Sequence, residues 1–89
     1  MNKVYLQKLK DRAGEMALQN MWGENAYKIN MEILRLDQKD SASCTRLAKY
    51  YMLKNNIAEA KNMYLKTLEI DPNNLGIIER DQKEKNMTE

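Results

Sequence analysis

Side chains able to carry covalent or acid–base chemistry are few and scattered in this chain. It has no histidine, which removes the commonest general base and metal ligand together with the usual Ser-His and Cys-His constellations. Cys44 is the only cysteine. It falls on an apolar helical stripe, where a small thiol serves as packing volume rather than as a nucleophile. Asp37, Asp40 and Asp71 stand at expected helix ends, where carboxylates bond to nearby backbone, so no metal site is read from them. Gly14, Gly23 and Gly76 are isolated and form no phosphate-cradling loop. No catalytic residue, cofactor or metal is expected, and the chain reads as a non-enzyme.

The elements that would position any site are helical. The 89 residues are 43% apolar, with seven methionines, three glycines, one proline and no phenylalanine. No alternating β-branched run appears between turn clusters. Cys44, Leu47, Ala48, Tyr51 and Met52 follow the spacing of one apolar helix face, and Ala60, Met63, Tyr64, Thr67 and Leu68 follow it again. Lys54-Asn55-Asn56 is a short polar turn between them, so the two helices must lie antiparallel and pack. Asn56 followed by Glu59 predicts an N-cap for the later helix, and Asp40 or Ser41 for the earlier one. Pro72 disfavours helical geometry at Asp71, which places the end of that helix near Ile70. The map is therefore helices near 3-20, 24-36, 41-54, 57-70 and 74-85. Tyr51 and Tyr64 are expected in the core, Tyr5, Tyr27 and Tyr50 are less constrained, and Met16, Met21, Met31, Met52 and Met63 are expected to fill gaps between helices.

The stretch from Asp40 to Asn74, with Leu47-Ala48, Tyr51, Ala60, Tyr64 and Leu68-Glu69-Ile70-Asp71-Pro72, resembles the tetratricopeptide repeat, a helical hairpin of about 34 residues. Ala48 and Ala60 stand where the family has small residues, a steric need when helix axes approach to about 8–10 Å. Cys44 departs from the usual Trp and Thr67 from the usual Ala. Gln7 to Asp40 aligns with Ser41 to Asn74 with four identities, Arg12/Arg46, Ala26/Ala60, Leu34/Leu68 and Asp37/Asp71. This first unit is degenerate, since Ala17 and Asn30 replace aromatics and Gln38 replaces the proline. The resemblance implies one all-α domain over 1-89: a degenerate repeat (1-40), a clear repeat (41-74), and a capping helix with a frayed tail (75-89). Together these form a fragment of a right-handed α-α superhelix.

The same resemblance implies that the first helix of each hairpin lines a concave groove. Lys8, Arg12, Arg46, Lys49, Arg80 and Lys83 would place six cations there against Asp11, Glu15 and Glu79, a local excess of +3. Acidic peptides or protein partners are natural ligands for such a surface. The family's carboxylate clamp is not matched, because Glu15 and Lys49 fall near the places of its groove asparagines. Trp22, in the first turn, is either an exposed anchor or a lid over the helix pair. A homodimerisation or structural unit is an alternative, as is an accessory nucleic-acid-binding domain of a larger protein. The net charge of +2 disfavours the last, and a membrane partner. A lone cysteine, no signal-like N-terminus and no long apolar run favour a cytoplasmic setting.

Overall fold

The computed structural model describes residues 3–73. Within them the chain forms four α-helices and no strand: α1 (Lys3–Leu18), α2 (Glu24–Leu36), α3 (Ser41–Leu53) and α4 (Ile57–Ile70). The expected capping helix over 74–85 lies outside the described residues. Each helix packs on the next in sequence, α1 on α2, α2 on α3 and α3 on α4. Connections this short force successive helices to reverse direction.

The four helices end in two pairs of matching patterns. Asn20 and Asn55 adopt left-handed backbone, with φ of 59° and 61°, a conformation that asparagine tolerates better than most side chains. Behind Asn20, the amides of Met21 and Asn20 donate to the carbonyls of Met16 (2.8 Å) and Ala17 (3.0 Å). Behind Asn55, those of Asn56 and Asn55 donate to Tyr51 (2.8 Å) and Met52 (3.0 Å). Both patterns are Schellman closures, which is why α1 stops at Leu18 rather than running to residue 20. The second helices also end alike: Asp37 and Asp71 donate their amides to Ile33 (2.7 Å) and Thr67 (2.8 Å). Burial recurs at that same spacing of 34 positions, in Ala13 and Leu47, Ala26 and Ala60, and Ile33 and Thr67.

α3 sits between two neighbours and buries more than a single stripe. Ser43, Cys44, Leu47 and Ala48 are wholly buried, and Tyr50 is 8% exposed. Met52, expected on the core face, is instead 37% exposed. The reason is geometric: contact with α2 on one side and α4 on the other widens the buried arc toward Tyr50. Tyr27, Tyr51, Met63 and Ile70 pack against a cluster of Leu34, Cys44 and Leu47. The Tyr27 ring centroid lies 4.8 Å from that of Tyr50 and 6.1 Å from that of Tyr51, so Tyr27 and Tyr50 are packing residues rather than loosely placed ones. Of the five methionines expected to fill gaps, Met16 is buried and Met63 half-buried, whereas Met21, Met31 and Met52 face solvent.

Buried polar groups are satisfied locally. The Thr67 hydroxyl donates to the Met63 carbonyl at 2.9 Å, which lets it occupy a position otherwise suited to alanine. Asn56 caps α4 as expected, its Oδ1 accepting from the Glu59 amide at 3.4 Å. Asp40 precedes α3 without capping its backbone; its carboxylate accepts from the Ser43 hydroxyl at 2.8 Å. Burial pushes the Cys44 thiol up from its ordinary range, which keeps it neutral.

Ala48 and Ala60 are both wholly buried, so a larger side chain at either has no empty space to enter. Ala60→Phe should destabilise by about 1–3 kcal/mol or more, against a change within roughly 0.5 kcal/mol for Lys61→Ala on the exposed face. Urea melts give the comparison. Equal midpoints for Ala60→Phe and the parent would contradict the packing described.

Candidate functional site

The basic residues singled out from the sequence divide into two kinds. Lys8 and Arg12 lie one turn apart on α1 and are exposed; neither enters a hydrogen bond or ion pair among the described residues. Arg46 and Lys49 lie on α3, are half-buried, and are held by Asn30 and Trp22. Arg80 and Lys83, with Glu79, lie outside the described residues.

Arg46 is anchored by a buried amide. Asn30 is 2% exposed and sits one turn after Ala26 and one before Leu34, on the inward face of α2. Its Nδ2 donates to the Ala26 carbonyl at 2.9 Å, which fixes the amide's orientation. Its Oδ1 then points across the helix interface and accepts from Arg46 Nη1 at 3.5 Å, a long contact at the weak end of hydrogen bonding. The other terminal nitrogen, Nη2, lies 3.8 Å from where a Cβ would stand on Gly14 of α1. One guanidinium therefore meets α1 and α2 at once.

Lys49, one turn further along α3, places Nζ 4.7 Å from the centre of the Trp22 ring. This is cation–π distance. Trp22 in turn donates from Nε1 to Asn20 Oδ1 at 2.9 Å, which ties the half-buried ring to the α1–α2 turn. The neighbouring Tyr50 hydroxyl donates to Glu24 Oε1 at 2.6 Å. That bond raises the Tyr50 phenol above its ordinary value, with burial adding to it. Tyr51 is pushed up to about 12, first by burial and then by its hydrogen bond with Tyr27. These phenols stay neutral donors at physiological pH.

At the other end of the seam, Lys10 Nζ meets Asp37 Oδ2 at 3.1 Å and ties α1 to the end of α2. The seam thus runs from Lys10–Asp37 through Gly14–Arg46–Asn30 to Trp22–Lys49 and Tyr50–Glu24. Six of its members were not among the partner-binding residues expected from the sequence: Lys10, Gly14, Glu24, Asn30, Asp37 and Tyr50. Asn30 carried a legible signal, since a polar residue at an inward position with Ala26, Ile33 and Leu34 must find a partner.

Among the described residues, no group of three or more Cys, Asp or Glu is placed to hold a metal ion, and no helix is long and apolar enough to cross a membrane. Comparison with protein-family models, with curated proteins and with solved structures gives no match to this chain.

Asp37 supplies a pH test of the seam. The hydrogen bond from Lys10, then that from the Lys39 amide, hold its carboxyl below the usual range. A depressed folded value means the stabilisation is complete above an unfolded value of about 3.9 and is lost as pH falls through the folded one. The pair is about one-third exposed, with side chains at 31% and 34%, so its contribution is about 0–1 kcal/mol and weakens with salt. Asp37→Asn should lower the urea midpoint near neutral pH, with the deficit shrinking as pH falls below the ordinary carboxylate range and through the folded value. A deficit that does not change across that range would contradict the assignment.

Proposed function

We propose that this chain is a tetratricopeptide-like helical-repeat module, a fragment of a right-handed superhelix, that binds a protein or peptide partner through a basic face on α1 and α3 and catalyses no reaction itself. The observation that carries the reading is the recurrence at 34 positions of both burial and helix endings, in Ala26 and Ala60, Ile33 and Thr67, and Asp37 and Asp71. A repeat of this length with small residues buried at the helix crossings is the signature of stacked helical hairpins. Fold alone does not fix function, so the binding surface is argued from charge. α1 carries Lys3, Lys8, Lys10 and Arg12 against Asp11 and Glu15, while α3 carries Arg46 and Lys49 with no acid within it. An acidic partner is the complement of that face, and a cytoplasmic setting belongs to the same reading.

The exposed pair, Lys8 and Arg12, gives a test that leaves the fold intact, because exposed charges add little to stability but act strongly on association. Arg46 and Lys49 are less suitable, since their side chains also hold the first hairpin. Lys8→Glu with Arg12→Glu should abolish capture of the partner from native extract while the circular dichroism spectrum stays that of the parent. Lys61→Glu with Lys66→Glu, an equal charge change on α4, should leave capture in place. Retention of the partner by the folded Lys8/Arg12 variant would place the interface elsewhere.

A further inference from the structure

α1 is lightly anchored for its length. Of its sixteen residues only Ala13 and Met16 are buried. The apolar cluster in which Leu34, Cys44 and Leu47 gather Tyr27, Tyr51, Met63 and Ile70 draws on α2, α3 and α4, and among the described residues it takes no member from α1. The first turn of α1 holds Lys3 and no acid, and its last turn holds no base, so neither end complements the helix dipole. The ion pair that ties it to α2, Lys10–Asp37, is about one-third exposed on both sides and correspondingly weak. So shallow an interface depends on the α1–α2 turn, which keeps the helix at high effective concentration beside its neighbour.

That turn is strained at one residue and apolar on both sides of it. Asn20 has a φ of 59°, left-handed backbone that is harder for any side chain to adopt than for glycine. Next to it stand Leu18, 89% exposed, and Met21, 46% exposed. The Met21 amide donates to the carbonyl of the buried Met16, so this apolar surface is continuous with the inward side of α1.

We propose that α1 exchanges between two copies of this chain, giving a domain-swapped dimer in which residues 19–23 straighten and each α1 packs on α2 of the other copy. The Lys10–Asp37 pair and the burial of Ala13 and Met16 are then remade between chains. Two straightened segments related by a twofold axis run antiparallel past each other, which sets Leu18 and Met21 of one chain against the same residues of the other. The exchange gives up the Trp22–Asn20 hydrogen bond and the entropy of association. Against these it relieves the left-handed residue and covers two exposed apolar side chains, the conditions under which a short strained hinge favours swapping. The dimer is independent of the basic-face reading, and either can fail without the other.

Sedimentation equilibrium on the full chain, refolded at high micromolar concentration, measures the exchange. The parent should show a dimer fraction that rises with concentration. Asn20→Gly relaxes the turn and should weaken the dimer several-fold, whereas Asn20→Val, a side chain that left-handed backbone tolerates poorly, should strengthen it about tenfold or more. Leu18→Ser with Met21→Ser should weaken it about fivefold or more while leaving the monomer's urea midpoint unchanged. Asn55→Val puts the same strain into the α3–α4 turn, whose helices both contribute to the Leu47 cluster, and should lower the urea midpoint without producing dimer. Refolding isotope-labelled with unlabelled chains locates the interface: filtered NOEs from the Ala13 and Met16 methyl groups to α2 should connect different chains. A dimer in which those NOEs stay within one chain would overturn the swap. Equal dimer from Asn20→Val and Asn55→Val would overturn it too, as would a strict monomer for both the parent and Asn20→Val. Should Asn20→Val not fold, Asn20→Ala and the double serine variant decide by the same criteria.

Discussion

Close packing of α3 between α2 and α4 is the constraint on which the rest of the molecule depends. It requires a helix with little bulk where its neighbours approach, and Ser43, Cys44 and Ala48 meet that requirement with side chains that are wholly buried. Ala26 on α2 and Ala60 on α4 are the small residues on the facing helices. Larger groups then fill the spaces left between the helices, with Leu47 at the centre and Tyr27, Tyr50 and Tyr51 along one side. In a chain of 89 residues, where the buried fraction of the surface is modest, the middle helix has to supply contacts in two directions. It does so by burying an arc wide enough to include Tyr50.

That arrangement also sets what the basic residues can do. The same helix that is committed to the core presents Arg46 and Lys49 toward Asn30 and Trp22, which hold them. Lys8 and Arg12 on α1 stay in solvent. Two exposed cations on α1 therefore stand apart from two on α3 that neighbouring side chains hold. The tyrosines behind them remain neutral, with Tyr50 bonded to Glu24 and Tyr51 shifted upward by burial.

Much of the helix map was legible in the residue pattern. The Asn56 cap, the stop near Ile70 before Pro72, and the burial of Cys44, Ala48 and Ala60 all follow from local rules of periodicity, capping and proline geometry. What local rules miss is the effect of a second neighbour. A one-stripe helix reading places Met52 inward and leaves Tyr50 unassigned, whereas contact on both sides of α3 reverses the two. The closure at Asn20 was hidden for another reason, since left-handed asparagine leaves no periodic trace and a helix running to residue 20 fits the spacing equally well. The site was less legible than the fold. Its cations were visible as composition, but the division into exposed and held residues depends on Asn30, Gly14 and Trp22, which meet Arg46 and Lys49 only once the helices are packed.

Backbone amide hydrogen exchange measures the central role of α3 most directly, because protection follows the free energy of local opening. With packing on both sides, the amides from Leu47 to Tyr51 should exchange most slowly of all and approach the limit set by global unfolding, while the exposed first turns of α1 exchange far faster. Protection in α3 no greater than in α1 would contradict a fold organised around that helix.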